Sequence, residues 1–154
     1  MQNLANSGTI RRLLEEAGFS FKKSLGQNFL INPSVCPRMA EAACDSLSGV
    51  RPAGILEIGP GVGVLTVELA RAADKVVSVE LDERLRPVLA KTLDGFPNAS
   101  VVFGDAMKLD LGALIAEEFD GMDVAVCANL PYYITSPLLM LLLESRLPVR
   151  SITV

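Results

Sequence analysis

Apolar residues recur along this chain in two rhythms. In the first stretch Ile10, Leu13, Leu14 and Ala17 fall at helical spacing, which predicts a helix over 9–17 with Thr9 as N-cap and Gly18 as stop. No clean period follows over 19–31. Asn32-Pro33 then offers a cap and a proline suited to the first helical position, predicting a second helix from Pro33 to about Ser46. After Arg51-Pro52 short apolar runs alternate with helical segments, the pattern of strand–helix–strand units and a parallel sheet. Strands are predicted at 54–58, 75–80, 100–103, 123–128 and 150–154, and helices near 64–73, 82–93, 111–118 and 137–144. Two regions result: an N-terminal helical segment over 1–50 and an α/β core over 51–154. Right-handed crossovers put the strand C-termini on one edge, so the loops after the strands build a shared site.

Composition narrows the chemistry. The 154 residues include no histidine, which excludes Ser-His-Asp hydrolysis and His-ligated metal catalysis within the chain; no metal is expected. Cys36, Cys44 and Cys127 lack CxxC spacing and read as buried reduced thiols. The longest apolar run, from Pro137 to Leu143, is too short for a membrane span and reads as a buried helix. With no secretory pattern at the N-terminus, a cytoplasmic location is expected. The net charge of −4 is uneven: up to Arg38 five basic residues (Arg11, Arg12, Lys22, Lys23, Arg38) face two acidic ones. The remainder carries nine basic and sixteen acidic residues, so phosphate contacts are sought at the N-terminal arm. The final run, SITV, reads as a fifth strand. With a mean hydropathy of +0.39, it leads us to expect a further C-terminal part that covers apolar surface.

Four loops carry candidate chemistry. Glu57-Ile58-Gly59-Pro60-Gly61-Val62-Gly63 lies between a predicted strand and helix, where glycines let the backbone approach a ligand. A dinucleotide fingerprint starting at Gly59 and Gly61 requires glycine at position 64; Val64 stands there, which weakens an NAD-dependent oxidoreductase reading. Glu80 ends the second strand, placed to accept hydrogen bonds from ribose hydroxyls, a need shared by NAD and S-adenosylmethionine; the lesser alternative is an exposed strand-end glutamate. Asp105 in Gly104-Asp105-Ala106 is suited to the amino group of a cofactor adenine, or to an ordinary turn, and Asp110 to a helix cap. The fourth loop, Asn129-Leu130-Pro131-Tyr132, is the most informative. An exocyclic amine has its lone pair delocalised into the purine ring. The Asn129 side-chain oxygen and the Leu130 carbonyl, directed by Pro131, are suited to accept its hydrogens and favour a tetrahedral nitrogen. Tyr132 is suited to stack on a flipped-out base. No general base is needed, since the methylated nitrogen becomes acidic. A proline turn with a packed tyrosine is the other reading of this loop.

SLGQNFL at 24–30, LEIGPGVG at 56–63, VELD at 79–82, GDA at 104–106 and NLPY at 129–132 resemble, in order, the ribosomal RNA adenine dimethyltransferases. These enzymes modify two adjacent adenines near the 3′ end of small-subunit RNA. The resemblance covers nearly the whole chain from Phe21 onward. It implies a Rossmann-like class I methyltransferase fold, a mostly parallel sheet flanked by helices, without the family's last strands and C-terminal helical domain. It implies S-adenosylmethionine as cofactor, held by Asn28, Leu30, Gly59, Gly61, Glu80, Asp105 and Asn129. The target adenine falls to Asn129, Leu130, Pro131 and Tyr132, within ribosomal RNA of an assembling 30S subunit. A sister family, the large-subunit enzymes of macrolide resistance, shares most of these blocks; Gly26 and Leu130 favour the small-subunit enzymes. A catalytically idle RNA-binding assembly factor is the alternative outside enzymology.

Overall fold

Strands that are apolar on both faces belong between two layers of helices, and the middle strands of this chain are of that kind. The computed structural model describes residues 7–16, 18, 34–49, 52–130 and 132–154. In chain order they form α1 (Ser7–Glu16), α2 (Val35–Asp45), β1 (Ala53–Ile58), α3 (Val64–Ala72), β2 (Lys75–Glu80), α4 (Arg86–Thr92), β3 (Ala99–Phe103), α5 (Leu111–Glu118), β4 (Asp123–Ala128), α6 (Tyr132–Glu144) and β5 (Ile152–Thr153). The sheet is parallel throughout, in the order β3-β2-β1-β4-β5. β1 is buried at all six positions. Its Ala53 and Ile55 pack with α2 and α3, whereas Leu56 and Ile58 pack with α5 and α6. The strand order turns back between β1 and β4, and at such a switch point the loops leaving neighbouring strands diverge and open a crevice.

α1 is amphipathic: Ile10, Leu13 and Leu14 are buried against Val62, Val67, Leu85, Val88 and Leu89, each such side chain stabilising by about 2 kcal/mol. It therefore lies against the loop after β1 and against α3 and α4. Its outer face carries Arg11 and Arg12, paired with Glu15 and Glu16 one turn on, and Lys91 of α4 reaches Glu16 at 2.9 Å. These two arginines of the basic arm are thus partly neutralised within the fold; Lys22 and Lys23 lie outside the described residues.

Several predicted boundaries move. α1 starts at Ser7, so Thr9 lies inside its first turn instead of capping it, while Gly18 does end it, at φ +81° with its N–H on the Glu15 carbonyl. α2 begins at Val35 behind Ser34, two residues after the expected Pro33; Asn32 and Pro33 lie outside the described residues. The helix expected over 82–93 opens as a 3-10 turn, Glu83–Leu85, capped by Asp82, because Pro87 has no N–H for a bond back to Glu83. β5 is two residues long, shorter than the predicted 150–154.

The largest difference is α6. It starts at Tyr132, five residues before the predicted Pro137, and carries that proline inside. Only the bond to the Tyr133 carbonyl is forgone, and burial of Leu138 and Leu142 against the core outweighs one lost bond. Nor is the helix buried all round, as its composition suggested. At 100° per residue only one face meets the sheet, and Met140 and Leu143 are 54% and 65% exposed. Of the three free thiols Cys36 and Cys127 are buried as expected, and Cys44 is half-buried.

Candidate functional site

The loops after β1, β2, β3 and β4 meet at the C-terminal edge of the sheet. The first carries Gly59, Gly61 and Gly63 at φ +72°, +58° and +89°, a left-handed conformation that a side chain disfavours. Gly63 also has no room: a Cβ there falls 2.8 Å from Thr92 Cγ2. Its N–H bonds the Pro60 carbonyl at 2.9 Å, closing the turn, and it directly precedes α3. The Gly59 N–H continues the ladder to the Val79 carbonyl at 2.9 Å.

Glu80 ends β2 and is 6% exposed, unlike the exposed glutamate that a strand end also allows. Its Oε2 accepts from the Gly61 N–H at 3.1 Å and its Oε1 from the Asp82 N–H at 2.8 Å. Burial pushes its carboxyl above the ordinary value, against the pull of these backbone bonds. The Leu81 N–H also acts on this carboxyl, and since a carboxylate offers about four lone-pair sites, accepting capacity is left for a ligand's hydroxyl. Leu81, next in sequence, is 65% exposed, an apolar side chain open to solvent between two acidic residues.

After β3 the Gly104 N–H bonds the Glu80 carbonyl at 2.8 Å, holding this loop to the previous one. Asp105 is half-buried; Oδ1 accepts from the Met107 N–H at 2.9 Å and Oδ2 lies 3.7 Å from Lys108 Nζ. It is thus both an edge residue and a turn residue. Asp110 caps α5 as expected, accepting from the Ala113 N–H at 2.9 Å. After β4, Asn129 and Leu130 are half-buried, and Leu130 Cδ2 stands 3.8 Å from where a Gly59 Cβ would be. That contact brings the fourth loop against the first. Gly59, Gly61, Glu80, Asp105, Asn129 and Leu130 therefore share one edge, as the topology predicts. Asn28, Leu30, Pro131 and the Tyr132 side chain lie outside the described residues; the Tyr132 backbone opens α6.

One residue of this edge was missed. Glu57, the fifth residue of β1, is wholly buried, and Oε2 accepts from the hydroxyls of Thr66 and Ser78, both at 2.6 Å. Burial raises its carboxyl to about 7, with the Glu80 charge adding and the two hydroxyls opposing. The available signal was a lone acid inside a strand with apolar residues on both sides.

Known proteins agree with this geometry. The family model described as "Ribosomal RNA adenine dimethylase" matches residues 18–154. The "Ribosomal RNA small subunit methyltransferase A" of Anoxybacillus flavithermus is 49% identical over 154 residues, covering 99% of this chain and 51% of that protein. Among solved structures, the 23S rRNA methyltransferase ErmE superposes with a TM-score of 0.61 at 36% identity, covering 77% of this chain and 44% of that one. A dimethyladenosine transferase from Plasmodium falciparum gives 0.52 at 32% identity, covering 71% and 36%. The chain spans about half the length of the curated relatives it matches. Its sheet is that of a Rossmann-like class I methyltransferase. With the glycine turn, the buried Glu80 and the loop after β4 all in place on one edge, the chain belongs to the ribosomal RNA adenine dimethylase family.

Proposed function

We propose that the chain forms the cofactor- and base-binding part of an enzyme that methylates N6 of two adjacent adenines near the 3′ end of small-subunit ribosomal RNA. The substrate is ribosomal RNA within an assembling 30S subunit, in the cytoplasm. Among the described residues no helix is long and apolar enough to cross a membrane, in keeping with that setting. Residues 51–154 are the cofactor core, and 1–50 an N-terminal segment whose Asn28 and Leu30 contribute to cofactor binding.

The observation that carries this reading is the bond from the Gly61 N–H to Glu80 Oε2 at 3.1 Å, with Leu130 against Gly59 beside it. It joins a turn with glycine at every second position, a buried carboxylate and the target-base loop. These parts fit S-adenosylmethionine: the backbone of Gly59 and Gly61 accommodates its methionine portion, Glu80 accepts from its ribose hydroxyls, and Asp105 accepts from its adenine amine. When bound, that cofactor supplies an electrophilic methyl group on a sulfonium. The chain's own residues prepare the nucleophile. Asn129 Oδ1 and the Leu130 carbonyl accept the two hydrogens of the target amine, which draws its lone pair out of the ring, and Tyr132 stacks on the base. Asn129 is half-buried, and among the described residues no hydrogen bond commits its amide.

Calorimetric titration with S-adenosylmethionine and, separately, NAD tests the cofactor; saturable binding of NAD alone would overturn the reading. Methyl transfer to 30S precursor particles then tests the substrate. The similarity to ErmE favours one second reading, a large-subunit adenine, and transfer to 23S RNA in place of 30S particles would establish it.

A further inference from the structure

Glu57 takes no part in the contacts assigned above, yet its surroundings are built around it. On the α2/α3 face of the sheet, register places Ser78 of β2 on one side of it and Cys127 of β4 on the other. Thr66 descends from the start of α3, and all four residues are wholly buried. Both hydroxyls go to Oε2; among the described residues Oε1 has no hydrogen-bond partner and no cation pairs with the carboxyl. An isolated carboxylate in such a place costs several kcal/mol, and two hydroxyl bonds offset only part of it.

The two partners bracket the glycine turn. Thr66 lies three residues after Gly63, which precedes α3, and Ser78 is adjacent to Val79, whose carbonyl receives the Gly59 N–H. The titratable groups packed around the carboxyl are Glu80 from β2, Cys36 from α2 and Cys127 from β4, with Glu68 of α3 acting on Cys36. Burial pushes the Cys36 thiol up to about 11 and the Cys127 thiol up to about 12, so both stay neutral near pH 7. Glu80, the acidic neighbour, has its own carboxyl raised by burial.

We propose that Glu57 is a positioning residue for the cofactor. Through Oε2 it clamps α3 and β2 to the end of β1 and so sets the 59–63 turn, and its carboxyl gives up a proton to solvent when a cationic cofactor enters that turn. The inference rests on the S-adenosylmethionine reading, because that molecule brings a sulfonium and an ammonium group. Opposite charge nearby favours the carboxylate, so binding and ionisation are linked.

The test is calorimetric titration with S-adenosylmethionine between about pH 6 and about pH 7.5, in buffers of different ionisation enthalpy that count released protons. A group titrating near 7 and ionised in the complex lowers Kd about tenfold over that range, with measurable proton release. Glu57→Gln removes the Glu57 share of the slope and of the release, leaving only what the cofactor's own amine contributes, which is alike in both proteins. Ser78→Ala removes a donor to the charged form and shifts the midpoint of the slope upward. A wild-type Kd indifferent to pH without proton release, or a slope and release left unchanged by Glu57→Gln, overturns the inference while leaving the cofactor reading intact. If Glu57→Gln does not fold, an unmoved midpoint in Ser78→Ala overturns it. No saturable binding at any pH overturns the cofactor reading, and the inference with it.

Discussion

At the N-terminal edge of the sheet Lys75 reaches Glu118 at 2.9 Å and Arg150 reaches Asp123 at 2.6 Å. The Asp74 carboxylate takes the Ala53 N–H at 2.7 Å, and the Asn98 amide donates to the carbonyls of Ala70 and Ala73 at the end of α3. Charges there end in a partner from the same chain. At the C-terminal edge the two buried acids, Glu57 and Glu80, have no cation beside them among the described residues, and three glycines hold backbone conformations that side chains avoid. One edge lowers the energy of the fold. The other leaves polar groups partly uncommitted, which is where binding free energy with a ligand originates.

Substitutions at the two edges should therefore separate affinity from stability. The largest effect belongs to Glu80→Ala, expected to weaken S-adenosylmethionine binding at least about 100-fold, roughly 3 kcal/mol, with little change in Tm; calorimetry beside a thermal melt reads both. Next is pH. Between about 4.5 and about 7 folded Glu57 holds more proton than the unfolded chain, so stability falls as pH rises across that window and levels off above it. The contribution is on the order of 3 kcal/mol, read from urea midpoints at several pH values, and Glu57→Gln flattens it. Glu80, also raised, adds in the same direction. Gly63→Ala, strained at φ +89° and crowded by Thr92, is expected to cost about 2 kcal/mol and to weaken the cofactor as well. The smallest effect is at the opposite edge: Lys75→Ala should cost about 1 kcal/mol in a urea melt and leave cofactor affinity unchanged. Equal loss of affinity from Lys75→Ala and Glu80→Ala would erase the distinction between the edges.

Much of this was readable in the chain. The strands at 75–80 and 123–128 and the helix at 111–118 coincide with β2, β4 and α5, because apolar runs bounded by polar residues leave little choice of limits. Parallel topology alone then gathers Gly59, Gly61, Glu80, Asp105 and Asn129 on one edge. The start of α6 was not readable, since a local rule for proline competes with long-range packing of Leu138 and Leu142, which the sequence does not display. Glu57 escaped for a similar reason: its partners stand 9 and 21 residues away, and only the fold brings their hydroxyls together. The double duty of Asp105, with one oxygen already taken by Met107, is likewise a matter of turn geometry.

Pro137 leaves the Tyr133 carbonyl without its helical donor, and this divides α6 into unequal parts. The turn before the proline is expected to open before the body of the helix, which packs on the core through Leu138 and Leu142, and amide exchange with solvent reads the difference. That turn is continuous with the loop after β4. The loop proposed above to hold the target base thus joins α6 at the end where one backbone bond is missing.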